Sequence, residues 1–150
     1  LIHTRHEAAA VHMADATARL TGRVGVALVT GGQGHTNAVA ALTTAQCADS
    51  AVVLLSGHAG IKELGRGAFQ ELAQADMARP VTKASWMVRS PDRLGPDLAE
   101  AIRIASSGRP GPVHLSLPVD LLEAKNSALL CRQKSRPGGS DAAPSQRYFP

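Results

Sequence analysis

Residues 24–29 form an uninterrupted apolar run, Val-Gly-Val-Ala-Leu-Val, that leads straight into Thr30-Gly31-Gly32-Gln33-Gly34. A helical pattern from about Thr36 to Ala48 comes next, then a second apolar run from Ala51 to Ser56. Nothing else in the chain limits its fold as strongly. An apolar run without alternation suits a strand covered on both faces. A strand, a glycine loop, a helix and another strand place the two strands parallel, joined by a right-handed crossover. The expected class is α/β: three layers, with a mainly parallel sheet and helices on both faces.

The flanking segments continue the alternation. Glu7 to Leu20 is Ala-rich, with apolar residues at Ala10, Val11, Ala14, Ala18 and Leu20, and Thr21-Gly22 supplies a stop. Ser56 to Gly67, with Gly57, Gly60, Gly65 and Gly67, is expected to be a loop. Phe69 to Met77 is expected as a short helix. Val81-Thr82-Lys83 and Trp86-Met87-Val88 are expected as short strands. Ser90 is a candidate N-cap with Pro91 at the first helical position. Leu94, Leu98, Ala101, Ile102 and Ala105 then form an apolar stripe up to Ser107-Gly108. Arg109-Pro110-Gly111-Pro112 turns into a third strand, Val113 to Leu117, which Pro118 ends. From about Glu123 the pattern dissolves. Residues 1–122 are therefore expected to form one domain, and 123–150 a linker and disordered tail.

Composition narrows the partners. The net charge is +4, but the last 20 residues hold Arg132, Lys134, Arg136 and Arg147 against Asp141 alone, so the body carries almost none of it. Aromatic residues make up 3%, too few for a base-stacking surface. No nucleic-acid partner is expected. No apolar run approaches the roughly 20 residues of a membrane helix, so no membrane association is expected. Cys47 and Cys131 have neither disulfide-framework nor metal-site spacing, which suits a reduced cytoplasm.

Two places carry candidate chemistry. The loop Gly32-Gln33-Gly34-His35-Thr36-Asn37 nearly spells a dinucleotide fingerprint, but Asn37 stands where the third glycine belongs, and Ser56-Gly57-His58 stands where an acidic residue is wanted. A ligand-free turn and a turn facing another kind of ligand both stay open. Arg5-His6-Glu7 precedes the first helix, where a carboxylate complements the dipole, so simple capping is one reading of Glu7. His3, His6, Glu7 and His12 do not make a metal site, because His6 and Glu7 are adjacent and point to different sides of a helix. No metal-ligating residue is expected.

Several segments together carry a resemblance. They are Arg5-His6-Glu7-Ala8-Ala9-Ala10, Gly25 to Thr30, Gly32-x-Gly34-x-Thr36-Asn37, Ala68-Phe69-Gln70-Glu71, Arg79 to Lys83, Gly108 to Val113, and Leu117-Pro118-Val119-Asp120. In that order and spacing, residues 4 to about 122 resemble the N-terminal pyrimidine-binding domain of thiamine-diphosphate enzymes. The nearest kinds are acetolactate synthase, benzaldehyde lyase and oxalyl-CoA decarboxylase. The resemblance implies that Glu7 is the catalytic glutamate that hydrogen-bonds ring nitrogen N1′ of the aminopyrimidine and favours its imino tautomer. A carboxyl pKa raised by burial would suit that role, in competition with the helix dipole. It implies that Gln70 lies near the thiazolium and contacts substrate, against the plain reading of an exposed helix residue. It implies that Gly32, Gln33, Gly34, Thr36 and Asn37 pack near the cofactor, although Gln33 replaces the usual proline. His12, His35 and His58 match nothing and read as structural or surface residues.

The resemblance also implies what lies elsewhere. The cofactor is thiamine diphosphate, with Mg²⁺ ligands expected on a C-terminal domain, since this chain has no Gly-Asp-Gly run. A second subunit completes the site. The substrate is a small 2-keto acid or aldehyde, decarboxylated or ligated; the chain alone is expected to be inactive. Members of the family carry a strand-helix-strand unit ahead of the Arg-His-Glu motif, so the sheet is expected to lack its first such unit and to leave a buried-type strand uncovered. A reading of another class is a non-catalytic α/β association module, or a truncated fragment, without cofactor binding. A nucleotide-binding Rossmann domain is a third, and it wants an acidic residue where Ser56 to His58 stands.

Overall fold

The computed structural model describes residues 1–124. Most of the expected linker and tail lies outside them. The elements in chain order are helix α1 (Glu7–Thr21), strand β1 (Gly25–Val29), helix α2 (Gln33–Cys47), strand β2 (Val52–His58), the short helix α3 (Gln74–Ala78), strand β3 (Ala84–Met87), helix α4 (Leu94–Ser106), strand β4 (Val113–Pro118) and a single turn α5 (Val119–Leu122). The four strands form one sheet in the order β1-β2-β4-β3, and every pairing is parallel. The α/β class and the three layers follow the sequence reading.

Strand alternation divides the core in two. Ala27 and Val29 of β1 and Val52 and Leu54 of β2 join Val11 and Ala14 of α1 and Ala38, Ala41, Leu42 and Ala45 of α2. On the other face Val53, Val113 and Leu115 pack against Ala101 and Ala105 of α4. Small residues on the helices let them lie close to the sheet, which explains how a chain so poor in aromatics fills its interior. The expected α4 stripe is only half buried: Leu98 and Ile102 are exposed, and Ile104 packs instead.

Four other expectations need correction. β1 is not covered on both faces as its apolar run alone suggests, since Val26 is 54% and Leu28 60% exposed; it is a buried-type strand left uncovered, which was the other expectation. The reason is positional: α4 packs on β2 and β4, and β1 lies at the sheet edge beyond its reach. Residues 69–73 are not helical. The Glu71 carboxylate accepts from the backbone N–H of Gly65 (2.6 Å) and Ala68 (3.1 Å) and gathers the segment into a turn. Val81-Thr82-Lys83 is not a strand; a 3₁₀ turn spans Arg79–Val81, with Pro80 in its first positions. Likewise the Ser90 hydroxyl does not cap, because a 3₁₀ turn over Pro91–Arg93 stands between it and α4. No helix of the described residues is long and apolar enough to cross a membrane.

Buried polar residues, His114 at the start of β4 and Ser56 and Ser116 further along their strands, lie on the α2 side of the sheet. His114 and His35 are fully buried, their ring centroids 4.5 Å apart at 48°. Neither nitrogen of His35 has a hydrogen-bond partner among the described residues. Burial pushes His35 down to about 4, opposed by nearby Gln74 backbone and reinforced by His58. Burial, then His35 and His58, push His114 down to about 3. Both rings are therefore neutral in the fold at neutral pH. Below the ordinary histidine value the unfolded chain binds protons that the native rings refuse, so stability falls with pH. The stability of the neutral pair is complete above pH ~6.5 and declines as pH drops toward the two folded-state values. Urea unfolding at pH 7 and pH 5 should show a lower midpoint at pH 5, by on the order of 1–4 kcal/mol. Equal midpoints would show that the rings are not held neutral.

Candidate functional site

The site is built around the turn from β1 into α2. Gly32 has φ +59°, and the next residue already begins the helix. A Cβ at Gly32 would come 2.8 Å from Cβ of Gln70. One at Gly34 would come 2.4 Å from Cγ2 of Thr30 and 3.3 Å from Oε1 of Glu7. The absence of side chains there lets Gln70 close on the turn from one side and Glu7 from the other. Gln70 has φ +60°, a strained value for a residue with a Cβ. Its Oε1 lies 3.5 Å from the Thr30 hydroxyl, which donates to it.

Glu7 is the first residue of α1, but it is not the cap. His6 does that work: its Nδ1 accepts from the backbone N–H of Ala8 at 3.2 Å. The carboxylate of Glu7 instead accepts from Nδ2 of Asn37 at 3.1 Å, joining the start of α1 to the first turns of α2. Its own backbone N–H, then Asn37, hold the carboxyl below the ordinary glutamate value; burial opposes them and His6 adds to them. Of the two opposing influences expected from the sequence, burial and the helix start, the lowering one wins, because the side chain is only partly buried and two donors face it.

Of the residues singled out from sequence, Glu7, Gly32, Gly34, Asn37 and Gln70 gather on this turn. Gln33 and Thr36 lie in the first turn of α2 beside it. Gln33 is exposed. The Thr36 hydroxyl is engaged with the carbonyl of Gly32 (3.1 Å) and faces Sδ of Met77. A groove of about 680 Å³ runs along the outer side of β1; Glu7 and Thr30 line it together with Ile2, Met13, Val26 and Leu28. Among the described residues no group of three or more His, Cys, Asp or Glu is close enough to hold a metal ion. The site offers a carboxylate and an amide on either side of a bare turn, beside an apolar groove.

Sequence reasoning passed over Gln74. Its side chain is buried at the end of the sheet, where Oε1 accepts from the backbone N–H of Gly32 at 2.8 Å. Treating 69–77 as a surface helix hid it; its spacing of four from Gln70 was the available signal.

Residues 1–77 match the family model described as thiamine pyrophosphate enzyme, N-terminal TPP binding domain. The chain belongs to that family. It is 47% identical over 122 residues to the acetolactate synthase isozyme 3 large subunit of Escherichia coli (strain K12), covering 81% of this chain and 21% of the relative. It is 46% identical over 122 residues to 2-hydroxyacyl-CoA lyase 2 of Danio rerio, covering 81% of this chain and 20% of the relative. Against 2-hydroxyacyl-CoA lyase 2 of Mus musculus it is 49% identical over 122 residues, 81% of this chain and 19% of that protein. The chain thus spans about a fifth of the length of the curated relatives it matches. Thiamine diphosphate is the cofactor that membership implies.

One consequence concerns the Glu7–Asn37 pair. Replacing Asn37 by Ala removes one of the two donors, so the Glu7 carboxyl should titrate at a higher pH than in the parent chain. A pH titration of the Glu7 side-chain carbon by NMR checks this. An unchanged titration would mean that the amide does not act on the carboxylate.

Proposed function

We propose that this chain supplies the pyrimidine-facing wall of a thiamine-diphosphate enzyme that decarboxylates a small 2-keto acid or joins carbonyl compounds. The observation that carries the reading is the Glu7 carboxylate, fixed by Asn37 at the mouth of the β1 groove, with a turn free of Cβ atoms beside it. This donor set fits the ring half of the cofactor. A carboxylate suits a ring nitrogen that must carry and share a proton, and an amide such as Gln70 suits a polar group nearby. It does not fit the diphosphate half, for which a divalent cation and its oxygen ligands are needed. Those Mg²⁺ ligands belong to a separate part of the complete protein, and a second subunit closes the site. The cytoplasm is the compartment proposed for it.

The cofactor, when bound, supplies the carbon nucleophile. The work of this chain is narrower. Glu7 would hold a proton against the ring nitrogen. The turn at Gly32 and Gly34, free of Cβ atoms, would leave room for the ring, Asn37 keeps the carboxylate in place, and Gln70 would meet the substrate side. Gln33 and Thr36 border the turn and would flank the ring.

In the complete enzyme, Glu7→Gln should keep the side chain's shape and lose its exchangeable proton. Turnover should fall by about 10²–10⁴-fold, the usual worth of a positioned acid or base. The 150-residue chain given thiamine diphosphate and Mg²⁺ should show no turnover. Near-parental turnover of the Gln variant would remove Glu7 from this role, and robust product formation by the chain alone would overturn the proposed division of the site.

A further inference from the structure

A chain of hydrogen bonds runs inward from the glycine turn, and its chemistry fixes every direction. The backbone N–H of Gly32 only donates, so the atom facing it at 2.8 Å is the Gln74 carbonyl oxygen. The Gly57 carbonyl only accepts, so the group facing it at 3.0 Å is the Gln74 amide nitrogen. The second proton of that nitrogen goes to the hydroxyl of Ser56 at 3.2 Å, and the Ser116 hydroxyl lies 3.1 Å from the same nitrogen. At the far end the Ser85 hydroxyl donates its one proton to the carbonyl of Ala75 at 2.7 Å. It must therefore accept from Nδ1 of His114, 2.8 Å away. With its proton on Nδ1, the neutral ring accepts at Nε2, where the Ser56 hydroxyl donates at 2.6 Å. One polarised path thus links Gly32, Gln74, Ser56, His114, Ser85 and Ala75. It ties the turn to the ends of β2 and β4, to β3 and to α3.

We propose that Gln74 is a positioning residue. Through this oriented path it holds the Gly31-Gly32 turn in the one place where Gln70 and Glu7 both reach it. The side chain is 1% exposed, and all its polar atoms are engaged on three separate segments. Such a group specifies one arrangement, because any shift of the turn leaves a buried partner unsatisfied. Its consequence for catalysis rests on the functional reading above; the mechanical role does not.

Two substitutions separate the parts of the claim. Gln74→Met keeps the volume and deletes both ends of the link. Gln74→Glu keeps an acceptor for Gly32 and gives up the amide donors. On the ¹⁵N-labelled 150-residue chain, Gln74→Met should speed exchange of the Gly32 amide about tenfold relative to strand amides (about 1.4 kcal/mol). Gln74→Glu should keep Gly32 protected but draw the Ser56 hydroxyl to the carboxylate and move the His114 Nε2 resonance. The parent chain should show His114 protonated on Nδ1, a reading that needs no variant to fold. A proton on Nε2, or a Gly32 amide exchanging no faster in Gln74→Met than strand amides do, would overturn the proposal. In the complete enzyme Gln74→Met should raise KM for thiamine diphosphate about tenfold with a smaller change in kcat. If Glu7→Gln abolishes turnover and Gln74→Met leaves that KM unchanged, the positioning role fails and the functional reading stands. If Glu7→Gln is fully active while Gly32 responds as described, the reverse holds.

Discussion

The turn between β1 and α2 is packed so closely that positions 32 and 34 have no room for a Cβ. The rest of the candidate site follows from that constraint. Glu7 approaches Gly34 from α1, Gln70 closes on Gly32 from the segment after β2, and Gln74 holds the Gly32 N–H from beneath. Three stretches distant in sequence are brought within hydrogen-bonding or van der Waals reach of one turn. Close approach of this kind demands glycine and is lost with a single added methyl group.

The parallel sheet explains why the turn sits where it does. Strands β1, β2 and β4 all end on the same side, so the loops after them share one edge, the usual place for a ligand in such folds. On the α2 side, apolar Ala27, Val29, Val52 and Leu54 share the sheet with buried polar residues, His114 level with Leu54 and Ser56 level with Ser116. These buried polar groups are where positioning is built into the packed sheet. Keeping two imidazoles buried and neutral there costs stability at low pH, and the hydrogen-bond path through His114 depends on that neutrality.

Much of this was legible in the sequence because the signals were local. The apolar runs, the glycine loop and the Ala-rich helices each fix their own conformation, and their order fixes the sheet. Glu7, Gly32, Gly34, Asn37 and Gln70 carried a family resemblance, and they converge. What escaped was decided by tertiary contact. Glu71 captures backbone N–H groups and undoes the helix expected at 69–77. Gln74 is an ordinary polar residue until the ends of three segments close around it. Val26 and Leu28 looked fully buried because composition reports hydrophobicity and says nothing of strand order. The sign of the Glu7 shift depended on two donors whose positions only the fold reveals.

The central claim is that the Glu7 carboxyl meets a protonatable ring nitrogen of thiamine diphosphate. The direct measurement is the titration of the Glu7 side-chain carbon by ¹³C NMR in the complete enzyme, with and without thiamine diphosphate and Mg²⁺. The account predicts that bound cofactor moves the titration away from the low position set by the helix start and Asn37. The same titration curve with the cofactor bound as without it would contradict the account.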